Sequence, residues 1–102
     1  MPRDTLRKLV DWFNAQEVHL KRKGVRLNIR RPTQETDNNA LYIDADSSDY
    51  MGRMTCWESG ACDWEILRVK TGETIYYQRR DIDSLQDLYD IAEEFCRDMM
   101  QP

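Results

Sequence analysis

RMTCWESGACDWEILRVKTGE, residues 53–73, decides how this chain folds. Two turn signals lie within it, Glu58-Ser59-Gly60 and Lys70-Thr71-Gly72-Glu73. Glycine readily adopts the positive φ that a tight hairpin turn needs. The runs on either side are rich in aromatic and aliphatic residues, as strands are. The stretch therefore predicts consecutive antiparallel strands at residues 50–57, 62–69 and 74–79.

Two further strands are predicted upstream of this stretch. Val25, Leu27 and Ile29 alternate with polar residues, and this period of two is typical of a half-buried strand. Pro32 ends that strand, and residues 33–39 are polar throughout, which indicates a loop. A second alternating run follows at residues 41–46.

A helix is predicted at each end of the chain. Near the amino terminus, Asp4 or Thr5 can cap a helix that ends before Gly24. Its apolar stripe is Leu6, Leu9, Val10, Phe13 and Leu20. Near the carboxyl terminus, Asp83 or Ser84 can cap a second helix. Its apolar stripe is Leu85, Leu88, Ala92, Phe95, Cys96 and Met99. Both stripes follow helical spacing.

These elements define an α+β fold of a single domain over residues 1–102, with a five-stranded antiparallel sheet and both terminal helices packed on one face. Two helices about 10 Å wide cover roughly 20 Å, whereas five strands about 4.8 Å apart span roughly 24 Å. Only one sheet face can therefore be covered. The side chains expected toward the helices are Val25, Leu27, Ile29, Leu41, Ile43, Met54, Trp64, Ile66, Ile75 and Tyr77. Those expected on the other face are Arg26, Arg30, Tyr42, Asp44, Asp46, Arg53, Thr55, Trp57, Asp63, Glu65, Leu67, Tyr76 and Gln78.

Charge and composition indicate the compartment and the kind of partner. The net charge is −4, but residues 1–33 hold nine basic and three acidic residues, so the remainder is strongly acidic. Such a field repels phosphate and attracts basic surfaces, which argues against nucleic acid and for a basic protein partner. No run is apolar enough to span a membrane, and the first residues lack the order of a secretory signal. The three cysteines are too few for a disulfide framework, so a cytoplasmic location is expected.

No combination of residues predicts catalysis, a metal site or a cofactor. The single histidine, His19, is expected on the solvated side of the first helix, and no cysteine or histidine has the spacing of metal ligands. Asp44 with Asp46, and Asp63 with Glu65, lie two apart on strands, but nothing in the sequence drives their pKa values apart. Cys56 and Cys62 flank a turn and are expected as small buried hydrophobes. A non-enzymatic protein is predicted.

Residues 53–73 also resemble the central signature of the TriTu-type immunity proteins of bacterial polymorphic toxin systems. In that family a leading helix and a short Lys-Gly-Val sequence precede a Trp-Glu-Ser/Asn-Gly hairpin, an acidic residue before an apolar strand, a Thr-Gly-Glu turn and a closing helix. The corresponding residues are Lys23-Gly24-Val25, Trp57-Glu58-Ser59-Gly60, Asp63 and Thr71-Gly72-Glu73. Trp64 departs from the smaller aliphatic residue expected at its position.

The resemblance implies a cytosolic protein that protects its producer by binding a cognate toxin domain. Such binding needs no chemistry, because covering the toxin's active or substrate-binding site is sufficient. Tyrosine and tryptophan are favoured as interface anchors, and carboxylates suit a basic toxin surface. The residues expected to contact the toxin are Glu35, Asp37, Tyr42, Asp44, Asp46, Trp57, Glu58, Asp63, Glu65 and Tyr76.

Two other classes of protein fit parts of the same sequence. A small acidic homodimeric secretion or folding chaperone has similar size and composition, and its distinguishing property would be a stable dimer. A nucleic-acid binder would use the basic residues between Lys21 and Arg31. That segment lacks the interleaved aromatic residues on which bases stack, which disfavours the second class.

Overall fold

The computed structural model describes residues 3–31 and 39–100 of the chain. The elements are α1 (Arg3–Arg22), β1 (Arg26–Arg30), β2 (Ala40–Asp46), β3 (Tyr50–Trp57), β4 (Ala61–Arg68), β5 (Thr74–Asp81) and α2 (Leu85–Met100). The predicted α+β order of helix, five strands and helix is confirmed. The first helix begins at Arg3, slightly before the predicted cap. Glu35 and Asp37 lie outside the described residues.

The sheet is a simple meander in which each strand pairs with the next one along the chain. Its order is β1-β2-β3-β4-β5, and every pairing is antiparallel. Between β3 and β4 the chain reverses at Gly60, whose φ of 102° confirms the predicted glycine turn. The Gly60 N–H donates to the Trp57 carbonyl oxygen at 3.0 Å and closes that turn.

Both helices pack their apolar stripes on the same side of the sheet. Ser84 caps α2 as predicted, because its Oγ accepts the Asp87 N–H at 3.1 Å. Phe13 of α1 and Phe95 of α2 meet edge to face, with ring centroids 6.4 Å apart, and both are fully buried. His19 lies on the exposed side of α1, as predicted. Neither helix formed by the described residues has the length and apolarity needed to cross a membrane.

Trp64 forms the centre of the sheet's contribution to the core. Its side chain is 0% exposed, and its ring lies 6.4 Å from that of Tyr76 on the neighbouring strand. The other core side chains of the strands are Leu41, Ile43, Ala45, Met54, Cys56, Cys62 and Ile66. The predicted inward direction of Leu41, Ile43, Met54, Trp64 and Ile66 is confirmed by their burial.

On β5 the predicted side-chain directions of Tyr76, Tyr77 and Gln78 were wrong, whereas Ile75 packs against the core as predicted. Tyr76 and Gln78 pair with Ile66 and Trp64, so they lie on the helix-covered face, whereas Tyr77 pairs with Glu65 and lies on the other face. The cause is a register shift between Ile66 and Leu67, which is a β-bulge. A bulge adds one residue to a strand and so reverses which positions face the core.

Gly52 lets α2 approach the middle of the sheet. A Cβ atom built on Gly52 would lie 2.6 Å from Met99 Sδ and 3.0 Å from Phe95 Cε1. Real Cβ atoms essentially never come that close to another heavy atom. The absence of a side chain at Gly52 therefore sets the depth at which α2 sits on β3.

Replacing Gly52 with alanine should destabilise the protein. Within a strand, alanine normally stabilises relative to glycine because it restricts the unfolded chain. At Gly52 the added methyl group instead has to displace Met99 or Phe95, and overpacking of this kind costs about 1–3 kcal/mol. Urea unfolding of Gly52→Ala should show a lower midpoint with an unchanged denaturant slope.

A double-mutant cycle with Met99→Ala isolates the cause of that loss. Shortening Met99 destabilises the protein on its own by removing buried atoms, but it opens the space that the new methyl group needs. The cost of Gly52→Ala should therefore be smaller in the Met99→Ala background. An equal cost in both backgrounds would show that the close approach of α2 is not responsible.

Candidate partner-binding face

The side of the sheet turned away from the helices carries the candidate site, and we call it the open face. Alternation along the strands and the register between them place its side chains. They include Arg26, Asn28, Arg30, Tyr42, Asp44, Asp46, Met51, Arg53, Thr55, Trp57, Asp63, Glu65, Leu67, Tyr77 and Arg79. No described helix covers this face, so it is available for contact with another molecule.

Each carboxylate of the open face has an arginine as a direct cross-strand neighbour. The register pairs Asp46 with Arg26, Asp44 and Glu65 with Arg53, and Asp63 with Arg79. Opposite charges placed across a strand pair are favourable, whereas like charges would repel. The open face is therefore a mosaic of both signs, in which the arginines expected on this face lie beside its carboxylates. The arginines of β1 belong to the basic amino-terminal third, and only the sheet brings them beside the carboxylates.

Asp44 is the centre of the best-connected group on this face. It accepts hydrogen bonds from Arg53, with Nε 2.7 Å from Oδ1, and it pairs with Arg30, whose Nε lies 3.0 Å from Oδ2. The same two guanidinium groups lie 5.6 and 5.2 Å from the centroid of the Tyr42 ring. The hydrogen bond to Asp44 raises the pKa of Arg53 above its ordinary value. Mutual contact thus holds these three polar groups and the tyrosine in fixed positions.

A second, looser group lies at the β4 and β5 end of the open face. Arg79 Nη1 is 4.0 Å from Asp63 Oδ2, and the Arg79 guanidinium lies 5.6 Å from the Trp57 ring centroid. Burial raises the pKa of Asp63, the nearby charge of Glu65 raises it further, and Arg79 and a hydrogen bond with Thr55 oppose the shift. The Asp63 charge is therefore kept at some expense to the stability of the folded protein.

A groove of about 400 Å³ runs across the middle strands of the open face. Its lining consists of Asp44, Asp46, Met51, Gly52, Arg53, Thr55, Asp63, Glu65 and Leu67. Met51 is 49% exposed and gives the groove an apolar part beside its charges. Among the described residues, neither Asp46 nor Glu65 forms an ion pair. These two carboxylates are therefore the ones with capacity for a cationic partner.

Most of the predicted contact residues meet on the open face. Tyr42, Asp44, Asp46, Trp57, Asp63 and Glu65 lie there, and the half-buried Glu58 lies in the adjoining turn. Tyr76 does not, because it faces α2 and its hydroxyl donates to Glu94 Oε1 at 3.0 Å. Burial and that hydrogen bond raise the pKa of Tyr76. Sequence reasoning missed Met51, Tyr77 and Arg79. Alternation with Arg53 and Thr55 could have identified Met51, whereas for Tyr77 and Arg79 only the register between strands gives a signal.

The cysteines lie in the core and show no sign of reactivity. Cys56 and Cys62 are direct cross-strand neighbours, and both are fully buried and free. A hydrogen bond with Cys62, together with burial, raises the pKa of the Cys56 thiol well above its ordinary value. Burial likewise raises the pKa of Cys96 to about 12. A nucleophilic thiolate needs the opposite shift, so the thiols of Cys56 and Cys96 are suited to packing rather than to nucleophilic chemistry. Within the described residues, no group of three His, Cys, Asp or Glu side chains could hold a metal ion.

Fold and open face together define a small α+β protein with one sheet face free for binding. The family model "Immunity protein TriTu" matches residues 7–98, and the chain belongs to that family. The match covers both helices and the whole sheet apart from the chain's ends. No curated protein matches the chain.

Two isosteric substitutions on the open face should change stability in opposite directions. In the folded protein the raised pKa of Asp63 means that its charge is unfavourable above that pKa and vanishes as the pH falls through it. Asp63→Asn should therefore stabilise the protein at neutral pH, within about 0.5 kcal/mol, and the gain should shrink in acid.

Asp44→Asn should destabilise the protein by about 1 kcal/mol, because it weakens two ion pairs. Thermal unfolding of both variants between neutral and acidic pH measures the effect. Equal destabilisation by both at neutral pH would contradict the assignment.

Proposed function

We propose that this protein binds a cognate toxin domain through the open face and neutralises it by covering its active or substrate-binding site. Membership of the immunity family is the observation that carries the proposal, since it names the class of partner. The fold supports the choice of surface, because the helices occupy only one side of the sheet. Inhibition of this kind needs no catalytic group.

The composition of the open face matches that of protein interfaces rather than that of a merely solvated surface. Tyrosine, tryptophan, methionine and arginine are enriched at interfaces. The open face offers Tyr42, Trp57, Tyr77 and Met51, and arginines stack on the first two of these rings. Rings and guanidinium groups that already hold each other lose little conformational freedom on binding. By contrast, the exposed side of α1 is mainly polar and charged, with Val18 as its one large exposed apolar side chain among the described residues.

Charge on the open face favours a toxin surface with a cationic side chain at its centre. Asp44 and Asp63 form ion pairs with arginines of the protein. Asp46 and Glu65 have Arg26 and Arg53 as cross-strand neighbours but form no ion pair among the described residues. A lysine or arginine of the toxin entering the groove would pair with Asp46 and Glu65 and lay its aliphatic stem on Met51 or Leu67. The arginines at the rim, Arg30 and Arg79, would in return donate hydrogen bonds to carboxylates of the toxin.

Area requires that the contact extend beyond the strands. A stable complex buries about 800 Å² on each partner, whereas a face of roughly 24 by 20 Å offers only about 480 Å² in projection. The turn at Glu58 adjoins the open face, and its N–H donates to the Asn39 carbonyl oxygen, where the segment containing Glu35 and Asp37 ends. We include Glu58, Glu35 and Asp37 in the proposed contact for this reason.

Cytoplasmic action fits the same proposal. The three cysteines are free and buried, as expected of a protein that folds in a reducing compartment. An immunity protein in the cytoplasm would meet its toxin either before export or after entry into the cell.

Neutralising the two unpaired carboxylates should weaken toxin binding. The variant Asp46→Asn with Glu65→Gln keeps the shape of both side chains and leaves the ion pairs of Asp44 intact. Loss of close charge pairs at an interface is worth at least about 1.5 kcal/mol, which corresponds to about tenfold or more in Kd. Binding to the purified carboxyl-terminal toxin domain encoded next to the gene, measured by titration calorimetry, gives the value.

Asp11→Asn with Glu17→Gln is the matched control. Both of its residues are exposed on α1, away from the sheet. It removes the same charge and should leave the affinity unchanged. Equal losses in the two variants would indicate only a long-range charge effect. Failure of the unmodified protein to bind or protect against the toxin would refute the proposed function itself.

A further inference from the structure

The outer edge of β5 is the longest unpaired hydrogen-bonding edge among the described residues. β5 pairs with β4 on one side, and no described strand pairs with its other side. An exposed strand edge presents a row of N–H and C=O groups that readily pairs with another strand. The opposite edge strand, β1, has only five residues, whereas β5 has eight.

The hydrogen bonds between β5 and β4 show which residues of β5 direct their backbone N–H and C=O groups toward the unpaired edge. The Ile82 N–H donates to the Gly60 carbonyl oxygen at 2.7 Å, and the register continues through Arg80 opposite Cys62 and Gln78 opposite Trp64. Successive residues of a strand direct their backbone groups to opposite sides. Tyr77, Arg79 and Asp81 therefore direct their N–H and C=O groups away from the sheet.

The side chains at these positions leave the edge accessible. Tyr77 is 53% exposed, and the Arg79 side chain is 58% exposed. Natural edge strands are commonly protected by proline, by charged side chains, by bulges or by a covering element. β5 contains neither proline nor lysine, and its bulge lies only at its beginning, near Thr74. Its charged Arg79 and Arg80 are paired within the chain with Asp63 and Glu94. The stretch from Tyr76 to Asp81 is thus open to pairing.

We propose that β5 pairs antiparallel with β5 of a second copy of this chain, in the register centred on Gln78. A two-fold axis perpendicular to the sheet at Gln78 keeps the open faces of both copies on the same side. On that side, Tyr77 of each copy lies opposite Arg79 of the other. On the helix-covered side, Tyr76 lies opposite Arg80 of the other copy. The occupant of the edge is therefore a self-complementary strand.

Charge selects this register among the symmetric ones that keep the faces aligned. Centring on Arg79 would place two guanidinium groups directly opposite each other, which is repulsive. Centring on Tyr77 would place Arg79 and Arg80 opposite Ile75 and Thr74 of the other copy, neither of which is aromatic or acidic. Centring on Gln78 places each arginine, which already lies over Trp57 or Trp64 of its own chain, opposite a second aromatic residue, a favourable cation–π arrangement.

Such a dimer would be reversible and would depend on concentration. Edge-to-edge pairing of single strands buries less than the roughly 800 Å² per partner of a standard interface. It would leave both open faces uncovered, so this inference goes beyond the proposed function and does not depend on it. Each dimer would then offer a continuous surface with two equivalent toxin-binding regions.

Sedimentation equilibrium of the full chain, from low micromolar to near-millimolar concentration, tests the proposal. We expect a monomer–dimer equilibrium that Tyr77→Arg weakens by about tenfold or more, because it opposes Arg79 with a like charge twice in the symmetric pair. Adding Arg79→Glu should restore association by making those neighbours opposite in charge. Met51→Arg adds the same charge to the open face of the central strand β3, and it should leave the equilibrium unchanged.

Amide hydrogen exchange supplies a readout at single residues without any substitution. The amides of Tyr77, Arg79 and Asp81 should gain protection as the concentration rises, whereas those of Gln78 and Arg80, already directed toward β4, should not. A monomer at all concentrations would overturn the proposal. Association weakened by Met51→Arg and not by Tyr77→Arg would overturn it in favour of pairing through the open faces. Protection of the edge only after toxin addition would instead assign the edge to the toxin.

Discussion

The contact between α2 and the middle of the sheet at Gly52 is the constraint on which the rest of the structure depends. Phe95 and Met99 occupy the space that a side chain at Gly52 would fill, so α2 lies close to β3. Phe13 of α1 packs on Phe95 and completes the same layer. Two helices placed this way exhaust the apolar stripes of the chain on one side of the sheet. The other side has to remain stable in water without a covering layer.

On the open face, pairing of opposite charges keeps the sheet stable in water. A row of carboxylates alone would repel itself and would destabilise the sheet. Alternation of arginine with carboxylate removes this cost and leaves little net field at long range, so recognition there depends on contact rather than on steering. A partner that placed a carboxylate or an apolar group over Asp46 and Glu65 would leave charges buried and unpaired. Discrimination against wrong partners of that kind is worth several kcal/mol.

Much of the fold could be predicted from local signals in the sequence. The turn at Gly60, the cap at Ser84 and the helical stripes each have a specific local cause, and the structure confirms them. The direction of β5 could not be predicted, because Ile75, Tyr76 and Tyr77 are consecutive and give no period of two. The bulge beside Leu67 then decides which side chains of β5 face the core, and only the pairing with β4 shows this.

The candidate site was predictable in its residues but not in its electrostatics. Alternation alone placed Tyr42, Asp44 and Asp63 on one face. The charge balance of that face depends on which strands are neighbours. Alternation placed Arg30 on the same face as Asp44 but could not show that the two side chains pair. The structure places their side chains 3.0 Å apart. The close approach of α2 to Gly52 could not be predicted either, because a glycine in a strand does not indicate which side chain packs over it. Here those side chains are Met99 and Phe95.

The fold and the binding surface share the same strands at alternate positions, and this limits how binding specificity can change. On β4, Cys62, Trp64 and Ile66 are buried, whereas Asp63, Glu65 and Leu67 face the groove. Trp64, where the resemblance led us to expect a smaller aliphatic residue, is fully buried and so contributes to the core rather than to the contact surface. A slip of one residue would bring two carboxylates into the core, at a cost comparable with the whole free energy of unfolding of a small domain. Single substitutions at the outward positions can therefore change what is bound while the fold stays intact, whereas an insertion within β4 would abolish both together.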